Sequence, residues 1–182
     1  MALSDDLLAQ AGQLARLDGA GRPKQANLRR AVSAAYYALF HEITSMVAAQ
    51  VVGRANVAAP LGARVSRTVT HANVKKAAQQ FTSAASASPA FQSLRTAMAA
   101  PGTTAPAPCT ELATLCRHVP SLQQARHDAD YDLLRRFNRE EALRRVDEAI
   151  DGVRLVRALP ADSDTQVFLL GCLLGDALYK NH

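Results

Sequence analysis

From Lys24 to Val52 the chain runs without a proline or a glycine. That stretch restricts the fold more than any other feature. A segment of this length with no breaker predicts a helix well beyond the average length. At 100° per residue, Leu28, Val32, Ala35, Leu39, Ile43 and Met46 fall on one apolar face, with Tyr36 and Phe40 on its flank. Arg30, Ser33, Tyr37 and His41 form a second stripe, at spacings of three, four and four residues. A helix with one packed face and a stripe of cation, hydroxyls and imidazole is either a core helix with a polar seam or one wall of a site.

The rest of the chain agrees with an all-α protein. Aromatic residues make up 5% of the 182, alanine is abundant and β-branched runs are scarce. Such a composition favours helices and a core of Leu, Val and Ala with close helix approach. A hydrophobic content of 48% argues for a folded chain. The net charge of +5 is mildly basic, so it permits a polyanionic partner without requiring one. Three cysteines with no Cys-x-x-Cys pair suggest a reducing compartment. The first residues show no secretory signal, and the longest apolar run, Val167 to Leu174, is too short to span a bilayer. These features predict a cytoplasmic protein with no membrane segment.

In chain order, Ser4-Asp5-Asp6 is expected to cap a first helix that Gly19-Ala20-Gly21 ends. The long helix follows from about Pro23. Gly53 to Thr70 reads as a loop with Arg54, Arg64 and Arg67 exposed. Thr70 is expected to cap a helix from His71 to Phe81, and a short helix lies around Phe91 to Ala99. Pro101 to Pro108 is the clearest loop, a Pro-rich insertion. Pro120 is expected to kink or end a helix from Cys109. Ser121 with Gln124 predicts a fresh helix start, as does Asn138 with Glu141. The helix after Asn138 turns Ala142, Val146, Ala149, Ile150, Val153, Val156 and Leu159 inward, and Arg144, Arg145, Asp147 and Glu148 outward. Pro160 stops it. A last helix, about 164–179, is apolar nearly all round. It is therefore expected to be central to the fold or to join a second subunit.

Three clusters carry chemistry. Ser33, Tyr37 and His41 form a polar seam or a site wall. Arg126 and Asp130 stand at i and i+4 and can pair. With His127 and Tyr131 they could also hold and cleave a phosphodiester, Arg126 on the oxyanion charge and His127 or Tyr131 moving the proton. His71 at a helix start beside Lys75 and Lys76 could meet phosphate. No Gly-rich phosphate loop, nucleophile elbow or metal-spaced set occurs, so no metal and no cofactor are expected.

Taken in order, these segments resemble the HEPN-domain family. Arg30 to His41, with its Tyr36-Tyr37-Ala38-Leu39-Phe40-His41 core, is similar to that family's tyrosine-rich helix. Thr70-His71-Ala72-Asn73-Val74, with Phe81 beyond it, looks like the family's second conserved segment. Arg126-His127-Asp128-Ala129-Asp130-Tyr131 looks like its third. The resemblance spans about Leu28 to Leu159. It implies a single domain over 1–182, an up-and-down bundle of four to five main helices with its core at about 23–159, and an extra C-terminal helix. It also implies a homodimer that binds or cleaves RNA, as a metal-independent endoribonuclease in a toxin–antitoxin or phage-defence system. The alternative it implies is a non-catalytic binding or scaffold module paired with a nucleotidyltransferase-like partner. Catalytic members carry an Arg followed by a His after four to six intervening residues near a helix start; here Asp130-Tyr131 follow Arg126 instead, and Arg64 and His71, with six residues between them, lie across the expected loop. The residues carried over are Ser33, Tyr37, His41, His71, Arg126, Asp130 and Tyr131.

Overall fold

The computed structural model describes residues 2–17, 19, 21–82, 87–98 and 107–179. The described residues are all-α, with no strand among them. The helices are α1 (Leu3–Arg16), α2 (Gln25–Val52), α3 (Pro60–Thr68), α4 (His71–Thr82), α5 (Pro89–Met98), α6 (Thr110–Tyr131), α7 (Arg139–Ala158), α8 (Ser163–Leu174) and α9 (Asp176–Tyr179). No helix among the described residues is long and apolar enough to cross a membrane. The chain divides into two compact units, Met1–Glu42 with His118–Arg154, and Ile43–Arg117 with Leu155–His182. Most of the Pro-rich insertion, 101–106, lies outside the described residues.

In the first unit the predicted apolar face of α2 is the buried one: Leu28, Val32, Ala35 and Leu39 are all shielded from solvent. From α1, Ala11, Gly12 and Ala15 are buried. On α7, Gly152 sits where an added Cβ would lie 3.1 and 3.2 Å from the two Leu39 methyls, so this pair of helices approaches closely. Asn138 caps α7 as expected, its Oδ1 accepting from the Glu141 amide at 2.7 Å.

Several expectations are corrected. Helix α1 starts at Leu3, and Asp5 rather than Ser4 serves its N-terminus by accepting from the Ala2 amide. Ser4 is buried and donates to the Glu42 carboxylate on α2, a tertiary partner that takes it away from capping. Pro120 lies inside α6 without ending it. Pro120 removes one backbone donor, and the flanking Val119 and Leu122 are fully packed. Ser121 is therefore mid-helix, and its hydroxyl accepts from Arg145 Nη1 at 2.8 Å. Arg145 does not simply face water, since it also pairs with Glu148 at 2.7 Å. Ile150, expected inward, is 47% exposed.

The second unit is organised on α8. Helices α4 and α5 pack against it, and Val167, Phe168, Leu169 and Cys172 are buried. Phe81, Phe91 and Phe168 meet edge to face, with centroids 4.8 and 6.2 Å apart around Phe81. Arg95 lies over the Phe81 and Phe91 rings and grips Asp164 with two bonds of 2.7 and 2.6 Å. The expected loop from Gly53 to Thr70 instead holds a turn of 3-10 helix at Arg54–Asn56 and the helix α3. Pro60 starts α3, because a first-turn proline gives up no helical bond. Arg54, Arg64 and Arg67 are exposed, as expected. The predicted last helix is split at Gly175, whose φ of +54° breaks the helix into α8 and α9.

Candidate functional site

Helices α2 and α6 of the first unit bring Tyr37 and Arg126 together. Arg126 Nη2 donates to the Tyr37 hydroxyl at 2.7 Å. Its Nε lies 2.7 Å from Asp130 Oδ2, the i,i+4 partner that the spacing predicts. The guanidinium also lies 5.3 Å from the centroid of Tyr37 and 5.3 Å from that of Tyr131. One cation is thus shared by two aromatic rings, a hydroxyl and a carboxylate. Burial works against its charge, but the bond to Tyr37 and the proximity of Asp130 outweigh that and hold its pKa above the ordinary value.

The cluster grades from inside to outside. Tyr36 is buried and edge-on to Tyr37 at 5.6 Å, and burial pushes its hydroxyl pKa well up. Tyr131, at the last turn of α6, is 62% exposed. The exposed His127 has its ring 5.2 Å from that of Tyr131. His41 follows Tyr37 one turn along α2, 6.3 Å between centroids, and burial lowers its pKa. Arg126, His127, Asp130, Tyr131, Tyr37 and His41 therefore form one run of contacts along two helices.

Ser33 is on the same α2 stripe and shares a cavity with Tyr37. It lines a cavity of about 400 Å³ between α1 and α2, together with Arg30 and Tyr37 and with Leu7, Gln10 and Leu14 of α1. His71, Lys75 and Lys76 belong to the second unit on α4, where Lys76 forms an ion pair with Asp176 of α9. Among the described residues no group of three His, Cys, Asp or Glu is arranged to hold a metal ion.

Sequence reasoning missed two polar networks beside this cluster. Arg29 reaches the C-terminal end of α6 and donates to the carbonyls of Ala129, Asp132 and Arg135 at 2.7, 2.6 and 2.5 Å. The signal was a cation near the positive end of a helix, a placement that needs acceptors elsewhere. Beside it, the Gln25 amide pairs with both backbone groups of Phe137, at 2.7 and 3.0 Å. The second network is His118, with Glu148 Oε1 3.4 Å from one ring nitrogen and Asp151 Oδ2 3.1 Å from the other. The bond to Glu148 first, and that to Asp151, raise its pKa against the opposing effect of burial. The signal here was two carboxylates three residues apart on α7, which share one face.

These features define an all-α protein with a solvent-facing aromatic and guanidinium cluster. Comparison of the chain with protein-family models, with curated proteins and with solved structures gives no match.

Proposed function

We propose that the chain is a HEPN-like RNA-binding module, with Arg126, Tyr131 and His127 as the contact surface and Tyr37 and Asp130 as the residues that position Arg126. The single observation that carries this reading is the Arg126 guanidinium within 5.3 Å of both the Tyr37 and the Tyr131 rings, with Tyr131 largely open to solvent. An exposed ring beside a fixed cation offers an unstacked base a platform and the adjacent phosphate a charge. The net charge of +5 suits a polyanionic partner.

Binding is favoured over cleavage by the same geometry. Arg126 is balanced by Asp130, and His127 is its chain neighbour, so on a helix the two side chains diverge by about 100°. The Arg126 guanidinium is already held by the Tyr37 hydroxyl and the Asp130 carboxylate, which suits a fixed binding cation. Fluorescence anisotropy with a labelled single-stranded RNA tests the reading, alongside incubation with total RNA. The expected result is saturable binding that weakens as salt rises, a loss of tenfold or more in Arg126→Ala, and intact RNA throughout. Equal binding by wild type and Arg126→Ala contradicts the reading. RNA cut by wild type but not by Arg126→Ala replaces it with the endoribonuclease.

A second reading is a scaffold in which Arg126 only locks α2 to α6. The 2.7 Å contacts to Tyr37 and Asp130 favour it. A fall in the melting temperature of Arg126→Ala, with no RNA binding by wild type, is its signature.

A further inference from the structure

The cavity between α1 and α2 has a composition that the RNA surface does not explain. We infer that it binds a small amphipathic anion, a carboxylate or phosphate monoester on a short apolar body, with the anionic head at Arg30 and Ser33.

Its polar side is built for an anion. Arg30 and Ser33 stand one turn apart on one face of α2. Arg30 is exposed at the cavity mouth, and among the described residues no carboxylate or carbonyl partner is assigned to it. The neighbouring arginines differ: Arg29, Arg126 and Arg145 each have protein partners. Ser33 is 2% exposed, yet no partner is assigned to its hydroxyl among the described residues. The little surface that Ser33 keeps opens on the cavity it lines, where its hydroxyl can serve a bound group. Gln10 adds an amide from the opposite wall, and among the described residues no acidic one lines the space.

The remaining walls set the rest of the ligand. Leu7 and Leu14 of α1 give an apolar surface facing the polar stripe. The volume of about 400 Å³ falls within the range of small-molecule sites, roughly 300–1,000 Å³. A bare inorganic anion leaves the leucine walls uncovered, and a neutral apolar molecule leaves Arg30 and Ser33 unused. The two halves together select a molecule with one anionic end.

The test is isothermal titration calorimetry of the whole chain with hexyl phosphate and with hexanoate, against inorganic phosphate and hexanol. The expected result is saturable one-to-one binding of at least one amphipathic probe, tenfold or more tighter than either control; which probe wins distinguishes phosphate from carboxylate. Arg30→Gln is expected to weaken that probe at least tenfold while melting like wild type. Gln10→Glu places a carboxylate across from Arg30 on an exposed position and is expected to abolish binding. Failure of both probes to saturate overturns the inference, as does unchanged affinity in Arg30→Gln or Gln10→Glu. None of these outcomes depends on whether the chain binds RNA.

Discussion

Arg29→Ala is expected to destabilise the first unit through the end of α6. The guanidinium closes the C-terminal end of α6 by donating to Ala129, Asp132 and Arg135 carbonyls at 2.7, 2.6 and 2.5 Å. A fourth, the Asp128 carbonyl, stands at 3.4 Å. Helix ends leave carbonyls without intrahelical donors, and a cation there also meets the negative end of the helix dipole. A hydrogen bond from a charged donor contributes about 1.5–3 kcal/mol. Three that share one guanidinium are not additive, and water replaces part of what the two outer ones supply. The net cost of removing the side chain is therefore about 2–4 kcal/mol. For a chain of this size each kcal/mol moves the melting temperature by about 2–4 °C, so a fall of roughly 4–16 °C is expected. Arg29→Lys, a point donor that cannot span three acceptors, is expected to recover no more than about half of it. Thermal melts followed by far-ultraviolet circular dichroism measure both. A fall below about 2 °C in Arg29→Ala refutes the reasoning, and so does full rescue by lysine.

Two further outcomes follow from the same unit. His118 has a pKa raised above its ordinary 6.5 by Glu148 and Asp151, so its stabilisation is fully present below pH 6.5 and is lost as pH rises through the raised value. Glu148 is the opposite case: burial alone would raise its pKa, but bonds from His118, Arg145 and Ser121 lower it, so its contribution is lost as pH falls through the lowered value from 4.5. Melting temperature against pH is expected to peak between these limits, and His118→Gln is expected to flatten the alkaline limb, an effect of order 1 kcal/mol. At Gly152, whose added Cβ would meet Leu39 at 3.1 Å, Gly152→Val is expected to cost about 1–3 kcal/mol by overpacking. Gly152→Ala is expected to be near neutral in the same melts, since the gain in helix propensity offsets the contact. A stabilised Gly152→Val contradicts the close approach of α2 and α7.

How far the sequence reaches is set by the range of each interaction. The α2 helix was legible because burial of Leu28, Val32, Ala35 and Leu39 repeats with the helical period, and the Asn138 cap because it acts over three residues. Ser121 and Ser4 were misread for the opposite reason. Each has a cap-like local signature, and each takes a partner distant in sequence, Arg145 and Glu42. Pro120 carries a local penalty, but the buried Val119 and Leu122 on either side keep α6 in one piece. For the candidate site, the Arg126–Asp130 pair was legible as an i,i+4 spacing. The bond from Arg126 to Tyr37 spans 89 residues and has no periodic signature. The α1 wall of the cavity was invisible too, since Leu7 and Leu14 read only as ordinary positions on an amphipathic helix.

The proposed RNA surface rests on Tyr131, the exposed ring beside the Arg126 guanidinium. Tyr131 is 62% exposed, so its replacement is expected to leave the fold intact. The direct measurement is RNA affinity by anisotropy in wild type, Tyr131→Phe and Tyr131→Ala, each with its melting temperature. Base stacking on an aromatic ring is worth about 1–3 kcal/mol, so Tyr131→Ala is expected to bind roughly 5- to 150-fold more weakly, with an unchanged melt. Tyr131→Phe is expected to bind like wild type. Equal affinity for all three proteins contradicts the stacking surface and leaves Arg126 as a lock between two helices.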